Sequence, residues 1–190
     1  MGVQTVKAGK FDFTPNKLLP YFGFDRVGFV TVFHENCNYV YPDPSQQGDW
    51  LKLGGVALAL FPWEKHKNTA MVGFRYNPQT DYIEMLDYWH VNSVTDRGIG
   101  RKPIARVKRK ERFVWWIRAD QSKKLVSVNI RTAEGTVSKS RNFDQMSTAL
   151  CWAVGGYAGG DIPAVQEMSF TEERVTRWDA NGPVVNFLGL

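Results

Sequence analysis

Cysteine is scarce: Cys37 and Cys151 are the only two in 190 residues. Two thiols this far apart make neither a zinc site nor a disulfide framework, so both are expected to be free and at least half-buried. Long apolar runs are also missing. The longest, Val56 to Phe61, is six residues, against the ~18 that a membrane-spanning helix requires. The stretch after Met1 has no apolar core of a secretion signal, and Val6 stands where an N-myristoylation motif would have Ser or Thr. The expectation is a chain made in a host cytoplasm without a signal peptide, with no membrane partner.

Catalytic and metal-binding signatures are absent as well. The three histidines, His34, His66 and His90, show no metal-ligand spacing. There is no Gly-x-Ser-x-Gly, no phosphate loop and no Cys/His pairing. Glycoside chemistry needs two carboxyls flanking one bond. Glu84 and Asp87 are three apart in a strand-like run, which sends them to opposite faces. The chain is therefore expected to be no enzyme and to need no cofactor or metal. The glycine-rich Gly155–Gly160 leads into another strand rather than a helix, so it is read as a bulge or crossing point.

Helical periodicity is weak; the best window, Phe143–Leu150, is too short to carry a helical domain. Strand periodicity is plentiful, with 14% aromatic residues to fill a core. The candidate strands are Phe24–Phe33, Thr69–Tyr76, Tyr82–Val91, Glu111–Arg118, Leu125–Arg131, Val165–Thr171 and Val184–Leu188. The turn Asn77–Asp81 makes the second and third a hairpin. Alternation puts Ile83, Met85, Asp87, Trp89 and Val91 on one face, and Phe113, Trp115 and Ile117 opposite Arg112, Val114, Trp116 and Arg118. Gly and Pro break the chain every ten to fifteen residues, the spacing of an all-β sandwich or barrel. The reading is one antiparallel β-sandwich over residues 1–170 with little helix, followed by a tail over 171–190. Its core is expected to include Phe29, Val56, Leu58, Phe74, Met85, Trp115 and Ile117.

One segment concentrates charge. Arg101 to Arg112 holds Arg101, Lys102, Arg106, Lys108, Arg109, Lys110 and Arg112 against Glu111 alone, more than the whole chain's excess of +5. It suits either a solvated edge strand, which Lys and Arg guard against edge-to-edge pairing, or a contact patch for an acidic partner. With the rest of the chain near neutral, nucleic acid is not the expected partner. Among the rings that could stack on a sugar, namely Trp50, Trp63, Trp89 and Trp116, Trp63 in its Pro-containing polar loop stands out. His66 lies close by in sequence.

Two blocks together resemble a known family. His66–Tyr76 followed by Ile83–Tyr88 is similar to its "His-x-Asn-Ser-Ala-Arg-x-Gly-Trp-Arg … Ile-Glu-hydrophobic-x-x-Tyr" block. Gly156–Ala164 with Met168 resembles its "Tyr-Phe-Gly-Gly-x-x-x-Ala-Pro-His-Asp-hydrophobic" block. Trp50–Gly55 and Asn36–Tyr39 look like two further segments. The family is a β-sandwich group of Bacteroidetes genomes and their tailed, crAss-like phages. Met71–Val72 and Gln166–Glu167 depart from its pattern. The resemblance implies a jelly-roll or concanavalin-like sandwich and a virion setting: a non-enzymatic capsid-decorating, fibre or tail-associated subunit. Its implied partners are other virion proteins, further copies in a homo-oligomer, and a host surface glycan. A carbohydrate-binding module or a polysaccharide-degrading enzyme on the same sandwich is the alternative. The tail ends apolar, with Val184, Val185, Phe187 and Leu188, so it is expected either to fold back as a last strand or to reach a neighbouring subunit.

Overall fold

A computed structural model describes residues 2–15, 19–64, 66–96, 100–158 and 162–185. In chain order the strands are β1 (Gly2–Val6), β2 (Pro20–Phe22), β3 (Arg26–Phe33), β4 (Leu51–Ala57), β5 (Thr69–Asn77), β6 (Tyr82–Val91), β7 (Val94–Asp96) and β8 (Ala105–Val107). They continue with β9 (Arg112–Asp120), β10 (Leu125–Thr132), β11 (Gly135–Asn142), β12 (Leu150–Val154), β13 (Met168–Arg174), β14 (Trp178–Asp179) and β15 (Gly182–Pro183). The helical residues among those described are three 3-10 turns at Glu35–Cys37, Pro44–Gly48 and Pro62–Glu64. No helix among them is long and apolar enough to cross a membrane.

Two antiparallel sheets make the sandwich. One runs β1-β13-β3-β9-β10-β11; the other runs β2-β12-β4-β5-β6-β7, with β8 also against β6. This is the all-β antiparallel sandwich that the alternation predicts, in the jelly-roll or concanavalin-like form that the resemblance implies. The β5–β6 hairpin keeps its register from Asn77↔Tyr82 to Thr69↔His90. Its turn is closed by Asp81 at φ 57°, a left-handed position that Asp tolerates.

Period-2 alternation decides what meets between the sheets. Phe33, Phe113 and Phe170 come from one sheet and Phe74 from the other, with Phe33–Phe74 ring centres 4.9 Å apart and Phe33–Phe113 5.3 Å. All four are fully buried, each worth roughly 1.5–3 kcal/mol of burial. Trp115 sits in the same layer and donates its indole N–H to Thr31 Oγ1 at 3.0 Å. Val56, Leu58, Phe74, Met85, Trp115 and Ile117 are buried; Phe29 is half-buried, its ring 5.0 Å from Trp115. Gly55 has no alternative in this packing, because a Cβ there would lie 2.0 Å from the Ala70 carbonyl oxygen. Cys37 and Cys151 are free and buried.

Several elements differ from the sequence reading. β11 has no apolar alternation to announce it: seven of its eight residues are exposed, and it forms because β10 offers it a complete ladder, Leu125↔Asn142 to Thr132↔Gly135. Phe143–Leu150 is irregular until β12 begins at Leu150, with Phe143 fully buried. β13 starts at Met168 rather than Val165 and runs to Arg174, so residue 170 is mid-strand. Val184 and Val185 follow β15 outside any strand, while Phe187 and Leu188 lie outside the described residues. Of the glycine-rich segment, Gly155–Ala158 is described: Tyr157 bridges Asp12 on one side and Lys52 on the other, a crossing point between segments.

Candidate functional site

The outer face of the first sheet carries a groove that its strand pattern builds directly. β9 turns Phe113, Trp115 and Ile117 inward, so Val114, Trp116 and Arg118 face out; β10 turns Val126, Val128 and Ile130 inward, so Ser127, Asn129 and Arg131 face out. Register aligns these into rows. Arg26, Arg118, Ser127 and Ser140 lie side by side across β3, β9, β10 and β11, and Gly28, Trp116, Asn129 and Ser138 form the next row.

The β14–β15 hairpin walls this floor. The Trp178 ring lies over Gly28, where an added Cβ would come within 2.9 Å of it and within 2.7 Å of the Trp116 Cβ. Only glycine leaves room for the indole. Val185 and Trp178 pack on the outer cluster of Val30, Val114, Trp116 and Val175. Arg131 ties the hairpin down, donating from Nη1 to the Pro183 carbonyl at 3.0 Å and from Nη2 to the Asn181 carbonyl at 3.3 Å, with its guanidinium 5.2 Å from the Trp116 ring. The described part of the tail therefore folds back on its own sheet through Val185. Val184 is exposed.

Between floor and wall lies an open, largely polar cavity of about 350 Å³, within the ~300–1,000 Å³ of ordinary ligand clefts. Arg26 lies 5.5 Å from the Trp178 ring and pairs with Asp25 at 2.8 Å. Asn129 spends its amide protons on the Trp116 carbonyl and Ser127 Oγ, which leaves its carbonyl oxygen as an acceptor. Asp120 accepts from Ser122 Oγ at 2.6 Å and pairs with Lys123 at 3.3 Å. The Ser122 hydroxyl first, then Lys123, holds its carboxyl below the usual carboxylate range. Asp179 accepts from the Asn181 N–H at 2.7 Å. Trp116 is buried beneath the hairpin and Arg131, so Trp178, half-buried, is the ring left to meet a ligand. With hydroxyls, an amide, carboxylates and arginines beside it, the cleft can hydrogen-bond a polyhydroxylated ligand while Trp178 stacks on its C–H face.

Of the described residues singled out in the sequence, Trp116 lines the groove and Val185 packs on the cluster behind it; the others lie elsewhere. Trp50 and Trp89 are core. Trp63 is 74% exposed and stacks on Phe61, with centroids 4.7 Å apart and planes 7° from parallel. His66 is exposed and stands edge-on to His90, 5.2 Å away. The basic segment crosses from the second sheet, at β8, to the first, at β9, and much of its charge is engaged. Arg101 binds Asp87 at 2.6 Å and Asp96 at 3.0 Å. Arg109 binds Asp81 at 2.7 Å and Glu35 at 3.1 Å, and Lys110 also reaches Glu35. Arg106 and Lys108 flank the Tyr82 ring, Arg112 is half-buried at the start of β9, and Lys102 is exposed. Among the described residues no three His, Cys, Asp or Glu side chains gather as a metal site would need.

The sequence reading did not single out Arg26, Arg118, Ser127, Asn129, Ser138, Ser140 and Trp178 as site residues. Part of the signal was there: Ser127 and Asn129 are polar residues on alternate positions of a strand whose other face is purely apolar. What joins them to Trp178 is a contact between residues some fifty positions apart, which no local pattern carries.

Neither a protein-family model nor a curated protein sequence matches the chain. Among solved structures, it is similar to lectin I-B4 from Griffonia simplicifolia in its metal-free form (14% identity, covering 90% of this chain and 91% of that one, TM-score 0.43). It is also similar to the winged bean acidic lectin complexed with methyl-α-D-galactose (13%, 87% and 79%, TM-score 0.41). A tail fibre protein of an E. coli phage matches at 12% identity over 96% of this chain and 21% of that one, TM-score 0.36. These are distant likenesses of fold, and the groove stands on its own residues.

Proposed function

We propose that this protein is a non-enzymatic, glycan-binding structural subunit of a tailed phage virion, and that the groove between the β9–β10–β11 face and the β14–β15 hairpin is where the glycan binds. One observation carries the glycan reading: the Trp178 ring, standing on the buried Trp116, borders rows of hydroxyl, amide and guanidinium groups from β3, β9, β10 and β11 in a cleft open to solvent. A flat apolar surface next to convergent donors and acceptors is what a pyranose needs, because its hydroxyls must be matched as they leave water. The virion setting is supported by the sequence blocks at His66–Tyr88 and Gly156–Met168, which resemble the family of Bacteroidetes and crAss-like phages. As a virion subunit the chain would pack against other virion proteins. A closed homo-oligomer would multiply weak sugar contacts into useful avidity.

The non-enzymatic half of the reading follows the hydrolase, nucleophile and metal signatures that the sequence lacks. Asp120, whose carboxyl Ser122 and Lys123 hold below the usual range, does not suit the role of the proton donor that a glycosidase also requires.

The test is a glycan array of bacterial surface polysaccharides probed with the wild-type chain, Trp178→Ala and Trp63→Ala, with reducing ends assayed in parallel. The expected result is binding that Trp178→Ala abolishes and Trp63→Ala leaves in place, with no release of reducing ends. Loss in Trp63→Ala alone would move the site to the Phe61–Trp63 loop. Release of reducing ends by the wild type would make the protein an enzyme.

A further inference from the structure

We infer that the glycan taken by this groove is acidic, and that Arg118 receives the carboxylate of a uronic-acid or similar anionic sugar. The inference rests on the glycan-groove reading and adds the ligand's charge. Its basis is an arrangement that the fold alone does not reward. Arg26 and Arg118 are directly opposite each other on neighbouring strands and line the same side of the sheet. Like charges in that position repel, and sheets normally avoid them. Arg26 is compensated by Asp25 at 2.8 Å and by the Trp178 ring at 5.5 Å. Arg118 has no ion-pair or hydrogen-bonding partner among the described residues, although the nearby Asp120 is committed to Ser122 and Lys123.

The arrangement suits an incoming anion. Arg118 presents a planar fork of donors, the geometry that binds a carboxylate through two parallel hydrogen bonds. A ligand carboxylate there would remove the Arg26–Arg118 repulsion at the same time. Ser127 and Ser140 continue the Arg118 row along the floor and can meet the hydroxyls of the same sugar ring. Asp179, on the opposite wall and held by the Asn181 N–H, is an acceptor for hydroxyls rather than a partner for an acid group. The free protein thus presents a solvent-exposed Arg118 that no acidic group among the described residues pairs with, in a cleft whose other features suit a sugar.

Matched probes test this. Oligosaccharides of alginate, hyaluronan and polygalacturonate, and of uronic-acid-containing capsular polysaccharides, are titrated calorimetrically beside the same oligosaccharides after carboxyl reduction, which keeps the linkage and removes the charge. At least one acidic member should bind, and its reduced form should bind about tenfold more weakly, the effect of losing one charge-assisted hydrogen bond. Arg118→Gln should weaken the acidic ligand by the same factor, leave the reduced one unchanged, and keep or slightly raise the melting temperature, since it relieves the repulsion. Arg118→Lys should recover part of the affinity. Equal affinity for acidic and reduced forms, failure of every acidic probe to bind, or a fall in melting temperature for Arg118→Gln would each overturn the assignment. If neutral sugars bind and Trp178→Ala abolishes that binding, the acidic assignment fails and the groove survives. If binding persists in Trp178→Ala, the groove reading itself fails.

Discussion

Asp87 shows how much a single side chain can hold here. It lies on the inward face of β6 and is 2% exposed, where an unpaired carboxylate would be prohibitive. Its two oxygens are matched by Trp89 Nε1–H at 2.6 Å and Arg101 Nη2–H at 2.6 Å, and Arg101 also reaches the Asp87 carbonyl and Asp96. Asp96 in turn accepts from Arg141 on β11, so the network links the two sheets at one edge. Arg101→Ala should destabilise the fold by about 2–3 kcal/mol in a denaturant titration, somewhat less than for a fully buried pair because Arg101 is part-exposed. The thiols give a second check. Burial pushes Cys37 and Cys151 up to about 12, so a thiol reagent at neutral pH should modify neither until the protein is unfolded. Acid should act through Arg109. The Asp81 carboxyl is held down by the Tyr76 hydroxyl and then by Arg109, and the Glu35 carboxyl by Lys110 and then by Arg109. Depressed folded-state values mean stability that is present above the ordinary 3.8 and 4.5 and lost as pH falls through and below them. The melting temperature should therefore hold above about pH 5 and drop as pH falls through about 4 and below, and Arg109→Ala should reduce that drop.

The element on which the site depends is the C-terminal hairpin. Gly28→Ala puts a methyl against the Trp116 Cβ, which cannot retreat, and against the Trp178 ring, which can. The expected result is a loss of about 1–3 kcal/mol, with Trp178 displaced and the groove opened. Truncation after Ala180 removes the Pro183 and Val185 contacts and both of the carbonyls, those of Asn181 and Pro183, that hold Arg131. A loss of about 2–3 kcal/mol, or roughly 4–10 °C in melting temperature, should follow in the monomer, together with loss of sugar binding. An unchanged melting temperature combined with failed assembly would instead make this tail an arm for a neighbouring subunit. Legibility in the sequence divides at this same scale. The β5–β6 hairpin and the two faces of β6, β9 and β10 could be read because one face is buried and the period is two. β11 could not, because its stability comes from its neighbour's ladder rather than from its own side chains. The basic segment reads as one positive face, yet Arg101 and Arg109 spend their charge on Asp87 and Asp81, acidic residues outside the segment that the fold brings to them.

At the scale of the whole molecule, the two sheets, thirteen strands among the described residues, hide the apolar faces of their central strands and leave a polar outer face beside a docked hairpin. The core could be anticipated from alternation alone; the groove could not, since it exists only where residues 26–28, 116–118, 127–129, 138–140 and 178–182 meet. The central claim is that this meeting place binds a glycan. It is tested most directly by titrating the isotope-labelled protein with a bound oligosaccharide and following the tryptophan indole N–H and backbone amide resonances. The indoles of Trp116 and Trp178 and the amides around Arg118, Ser127 and Asn129 should move together and saturably, while the Trp63 indole stays still. Shifts confined to Trp63 and its loop, or none on the β9–β10 face with ligand bound, would contradict the account.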